Sequence, residues 1–188
     1  MAEGTTRAVA RSYEEAYASP AKMLLDELED IYVGALVGDN KVNTVRANYG
    51  VGILPSVFGC QVHPPRGNDL PWVEPVSPAE LKRLPQAGVP DLSRGLFARA
   101  LETAAYFREA LSPYPNLNAA VRVAQADLQG PMNVTAEIMG PAVYTAVYDQ
   151  PGFLHELLDV VTDTLIAGTC RQKAAINEPA DIAYHWHF

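Results

Sequence analysis

Val42-Asn43-Thr44-Val45-Arg46-Ala47-Asn48-Tyr49-Gly50-Val51-Gly52 is the stretch that decides the fold class of this chain. It is short of helix formers and closes in a glycine-rich turn, so it reads as a strand over 42–52. Arg46 and Asn48 lie two residues apart near the end of that strand and therefore share a face. Upstream, Ser19-Pro20 reads as an N-cap followed by the proline that a first helical turn tolerates. Met23, Leu24, Leu28, Ile31 and Leu36 then recur at helical spacing up to Gly38.

Downstream, residues 59–90 carry Pro64, Pro65, Pro71, Pro75, Pro78, Pro85 and Pro90. Each removes a backbone donor and biases its predecessor away from the helix, which predicts an irregular connection holding one short helix, 78–84, capped by Ser77. A connection of this length is more often a functional surface than a spacer. Helix returns over 91–111, with Leu96, Phe97, Ala100, Leu101, Ala104 and Phe107 on one stripe, and Ser112-Pro113-Tyr114-Pro115-Asn116 stops it. Residues 120–126 alternate Val121 and Val123 against Arg122 and Ala124, a strand signature, before Asp127-Leu128-Gln129-Gly130-Pro131 ends it.

A helix is predicted over 133–148. A longer one starts at Pro151, with Phe153, Leu154, Leu157, Leu158, Val161, Leu165 and Ile166 on a wide apolar stripe that reaches Gln172 or beyond; Cys170 is expected to pack in the core. Pro179 breaks the chain, and residues 180–185 read as a further strand. The alternation of strand and helix predicts an α/β fold with a parallel sheet, preceded by an N-terminal helix.

The 188 residues are 48% apolar and 19% charged, the composition of a globular chain. Fourteen Lys and Arg against 22 Asp and Glu leave a net charge of -8, which disfavours nucleic acid and anionic membrane surfaces as partners and points to a small-molecule substrate. The first residues carry no apolar run of the roughly 7–15 residues that a signal peptide needs, so a cytoplasmic address is expected. At such an address Cys60 and Cys170 stay reduced.

Three segments together resemble one family. They are Val45-Arg46-Ala47-Asn48-Tyr49-Gly50-Val51-Gly52-Ile53 with Pro55-Ser56-Val57-Phe58-Gly59-Cys60; Asp127-Leu128-Gln129-Gly130-Pro131; and Tyr148-Asp149-Gln150-Pro151 followed by Leu157-Leu158-Asp159 and Thr162-Asp163. In order and spacing they resemble the uroporphyrinogen decarboxylase superfamily, which includes porphyrinogen decarboxylases and corrinoid-dependent methyltransferases. The resemblance implies a TIM-type (β/α)₈ barrel with its active cleft at the C-terminal ends of parallel strands. A complete barrel takes about 250 residues. With three strands in view, the chain resembles the N-terminal part of one: 1–41 a helical extension, 42–188 a partial barrel.

Under this resemblance, Asp127 and His185 are the candidate catalytic groups, and Arg46, Asn48, Gln129 and His187 the candidate substrate-binding groups. Asp127 and Gln129, two apart at a strand end, share a face where catalytic groups of a barrel collect; Asp127 suits equally a cap for the turn before Gly130-Pro131. The Arg46 guanidinium can clamp a substrate carboxylate, or form a structural ion pair with one of the acidic residues. His185 and His187 flank Trp186, so both imidazoles can face one site. The arginine-rich N-terminal motif of the porphyrinogen decarboxylases is absent, and Asn48 stands where they carry an Asp.

The visible residues identify no cofactor and no metal. Zinc and a corrinoid are implied only if the complete protein belongs to the methyltransferase branch, whose zinc ligands would lie beyond Phe188. Cys60-Gln61-Val62-His63 has the spacing of half a zinc site with no second half nearby, and Gly50-Val51-Gly52 lacks the third glycine of a dinucleotide loop, since position 55 is Pro. The expectation is thus a decarboxylase-like or methyl-transferring enzyme domain, or an inactive fragment that associates to complete its barrel. An open sheet edge after the last strand leads to an expectation of self-association.

Overall fold

The computed structural model describes residues 11–183. Helix α1, Tyr13–Ala18, opens on a capping box in which Ser12 and Glu15 satisfy each other's backbone N–H groups. Ser19 then caps α2, Pro20–Val37, with Pro20 in the first turn, and Gly38 ends it in the left-handed region at φ 70°. The start and stop of this helix fall where Ser19-Pro20 and Gly38 put them.

Strand β1, Thr44–Val45, and β2, Gln61–His63, follow; β3 is Trp72–Glu74, α3 is Pro78–Leu81 and α4 is Leu84–Ala87. Then come α5, Gly95–Leu111, α6, Pro115–Ala120, β4, Arg122–Val123, α7, Pro131–Met139, α8, Val143–Asp149, and α9, Pro151–Ile176. β1 and β4 pair in parallel, Thr44 opposite Arg122 and Val45 opposite Val123, while β2 and β3 form a separate antiparallel pair. This is a mixed helical α/β fold, and among the described residues no closed barrel forms.

Both predicted strands on the site side are shortened to two-residue ladders, but the extended alternation runs on past them. Val45, Ala47 and Tyr49 are buried while Arg46 and Asn48 are only partly so; Ala124, Ala126 and Leu128 are buried while Gln125, Asp127 and Gln129 are only partly so. The period of two is set by burial, whereas a ladder needs a neighbouring strand, and β1 lacks one on its outer edge. There the Arg46 N–H donates to Glu27 Oε2 at 3.2 Å and the Asn48 N–H to Met23 Sδ at 3.2 Å, so side chains of α2 cover the edge.

Other expectations are corrected. The 59–90 connection holds a hairpin-like strand pair and two short helices instead of one. Residues Pro115–Ala120, expected to lead straight into a strand, are helical. The predicted 133–148 helix is two, because Gly140 at φ 62° followed by Pro141 ends α7, and a 3₁₀ turn precedes α8. Residues 180–183 form no strand, so the open edge expected there is not seen; residues 184–188 lie outside the described part. Cys170 is exposed, because α9 turns Leu154, Leu157, Val161, Thr164, Gly168 and Gln172 inward instead.

The core is continuous from α1 to α9, joining Tyr17, Met23, Tyr49, Phe97, Phe107, Ile138 and Leu157. α9 approaches closely at Gly168, where a Cβ would sit 3.2 Å from both Phe97 and Leu128; this brings the helix down onto the loop after β4. Among the described residues no helix is long and apolar enough to cross a membrane.

Candidate functional site

The parallel pairing of β1 and β4 directs the chain out of both strands at the same end, and the residues that follow meet there. Arg46, Asn48, Tyr49, Gly50, Asp127 and Gln129 line one cavity of about 160 Å³. Four of the six candidate site residues are thus together. The other two, His185 and His187, lie outside the described residues.

Arg46 Nη1 is 3.7 Å from Asp127 Oδ2, with the arginine side chain 11% exposed and the aspartate 40%. Asp127 also folds the turn: its Oδ1 accepts the Gln129 N–H at 2.9 Å and its Oδ2 accepts Gln129 Nε2 at 2.9 Å. Gln129 Oε1 accepts from Asn133 Nδ2 at 3.3 Å, and the Gln129 backbone sits at φ 64°. A side chain other than glycine, asparagine or aspartate is uncommon there. Asp127 therefore caps the turn and presents a half-buried carboxylate beside a guanidinium.

Helices α9 and α1 hold the lining segments from behind. Gln172 of α9 accepts the Ala126 N–H on Oε1 at 2.6 Å and donates Nε2 to the Ala126 carbonyl at 3.2 Å, fixing the backbone directly before Asp127. The Tyr13 hydroxyl of α1 donates to the Asn48 carbonyl at 3.3 Å, and burial, then the neighbouring Tyr17, pushes that phenol up to about 12. Gly50, at φ 70°, lets the cavity rim pass Pro71, whose Cγ a Cβ would meet at 2.7 Å.

Burial opposes the charge of Arg46, while Glu27 and Asp127 favour it. On the opposite side of β1, burial raises Glu27 to about 7, against the Arg46 N–H and charge that lower it. A second cavity, lined by Asp26, Glu27, Asp30, Gly34, Asp39 and Asn48 among others, adjoins the first through Asn48. Glu27 and Gln172 were not singled out by sequence. Both left a trace: each is a polar residue set in an apolar stripe, Glu27 among Met23, Leu24, Leu28 and Ile31, and Gln172 one turn beyond Gly168.

The remaining motifs do other work. Cys60 is buried, and burial pushes its thiol up to about 12. His63 stacks on Trp72 with ring centroids 3.9 Å apart and meets Glu74 at 3.0 Å. Gly50–Gly52 is a 3₁₀ turn on the cavity rim. Among the described residues no three His, Cys, Asp or Glu side chains are grouped to hold a metal ion, so a zinc centre does not fit them.

No family model matches the chain, and no curated protein matches it. Among solved structures it is similar to a methyltransferase from Methanosarcina mazei, with a TM-score of 0.66 over 87% of this chain at 22% identity. That likeness shows the fold. The chain spans 45% of the length of that methyltransferase.

Proposed function

We propose that this chain is a methyl-transfer domain whose substrate pocket is the Arg46 cavity. The observation that carries the reading is the convergence of Arg46, Asn48, Asp127 and Gln129 at the shared exit of two parallel strands, in a fold similar to that of a methyltransferase. It agrees with the segments that resemble the uroporphyrinogen decarboxylase superfamily, which includes corrinoid-dependent methyltransferases.

In this reading Arg46 holds an anionic group of the methyl acceptor, and Gln129 and Asn48 orient the rest through their amides. Methyl transfer forms a bond from the acceptor heteroatom to the methyl carbon and breaks the bond from carbon to the donor, which leaves with the electron pair. The acceptor's proton, where it has one, goes to Asp127 or through it to solvent, since that carboxylate is partly open to water. No step runs through zinc. Tetrapyrrole decarboxylation gains no support from the structural comparison, whose neighbour is a methyltransferase.

The test is transfer of the methyl group from methylcobalamin to a small anionic thiol by the purified chain, followed by the cobalamin spectrum and by thioether formation. The expected result is transfer that is lost in Arg46→Ala. Turnover of uroporphyrinogen without methyl transfer would overturn the reading.

A further inference from the structure

Arg46 stands between two carboxylates that come from opposite directions. Its guanidinium is 3.7 Å from Asp127, after β4, and its backbone N–H donates at 3.2 Å to Glu27, on α2. Glu27 lines the adjoining cavity, and with both acids ionised, one cation and two anions leave a net negative charge around Arg46, whose guanidinium the proposed function gives to an anionic group. Such a group would enter against repulsion from like charge held in a partly buried site.

We propose that Glu27 is a proton-coupled positioning residue: an anion occupies the Arg46 pocket while the Glu27 carboxyl is protonated, so that binding of each anion takes up one proton from solvent. The inference rests on the reading of the Arg46 cavity as an anion subsite.

The geometry allows the charge to change without moving the strand. A protonated carboxyl keeps a carbonyl oxygen that still accepts the Arg46 N–H, so β1 stays in place while the charge beside it disappears. The charged and titratable groups around Glu27 are Asp26 and Asp30 on its own helix, Tyr13 on α1, Arg46 after β1, and Asp39 and Lys41, which line the same cavity after α2. Asp26 and Asp30 disfavour its ionisation and Arg46 favours it. Burial, the largest influence, outweighs Arg46 and puts the carboxyl near 7, where modest changes in the pocket decide whether it holds its proton. Asp127 faces Arg46 but not Glu27, and it is the more exposed acid, better suited to contact ligand.

Calorimetric titration of the full chain with propionate, in buffers of different ionisation enthalpy, counts the protons taken up. The wild type should take up about one proton per propionate at pH 8, and its affinity should fall roughly tenfold per pH unit above 7. Glu27→Gln keeps an oxygen acceptor for the Arg46 N–H and should bind with no proton uptake and an almost flat profile. Propionate binding without uptake, or uptake unchanged in E27Q, overturns the role of Glu27. Absence of binding in both proteins, or binding unaltered by Arg46→Ala, overturns the anion subsite instead. Should E27Q not fold, the proton count and the pH profile of the wild type decide alone.

Discussion

Gln172 grips Ala126 with both ends of its amide, accepting the backbone N–H at 2.6 Å and donating to the carbonyl at 3.2 Å, and both residues are buried. A helix nearly fifty positions away thereby sets the path of the chain one residue before Asp127. Gln172→Leu leaves a buried donor and a buried acceptor unmet, at a cost of about 2–4 kcal/mol. Urea denaturation should show that loss, and the proposed methyl transfer should fall with it because the Asp127 turn shifts.

Asp127→Asn separates chemistry from fold. The asparagine Oδ1 still accepts the Gln129 N–H, so the turn survives, while its Nδ2 can no longer accept from Gln129 Nε2 and the half-exposed ion pair with Arg46 is lost, together about 1–2 kcal/mol. Methyl transfer should drop by on the order of a hundredfold if the carboxylate handles a proton. A loss of stability as large as that of Q172L would make Asp127 a turn residue only.

Glu27 makes stability depend on pH. Its carboxyl is raised from 4.5 to about 7 in the folded chain, so folding favours the protonated form. The contribution is fully present below about pH 4.5 and is lost as pH rises through about 7, for a total of roughly 3 kcal/mol. Glu27→Gln should therefore match the wild type in acid and exceed it at pH 8. Melting curves of the two proteins from pH 5 to 8 measure the difference directly.

Apolar side chains stand in water on two helices: Tyr32, Val33, Leu36 and Val37 on α2, and Tyr144, Val147 and Tyr148 on α8. Such faces favour association. Light scattering should show mass rising with concentration, and the double replacement Tyr144→Ser with Tyr148→Ser should reduce it. A constant monomer mass at all concentrations would refute it.

The placement of the candidate residues was legible where one residue type carries its own reason. Arg46 with Asn48, and Asp127 with Gln129, were readable because alternation puts each pair on one face, and burial keeps that alternation beyond the two-residue ladders. The parallel pairing of their strands followed from the helix between them. The third strand was not there to be read in residues 180–183, since an apolar alternating run is only a strand if a neighbour takes its hydrogen bonds. The break between α7 and α8 was written in Gly140-Pro141 and was overridden by the helical spacing around it. Glu27 and Gln172 were out of reach because their partners are backbone groups distant in sequence, whose positions only the packed fold supplies.

The outer edge of β1 has a consequence for solubility. Exposed strand edges recruit foreign strands through their free amides and so seed aggregates. Here the amides of Arg46 and Asn48 are already engaged by Glu27 and Met23, both on α2. That helix is therefore a guard, and a protease that removed it would uncover these two amides to any strand that could take them.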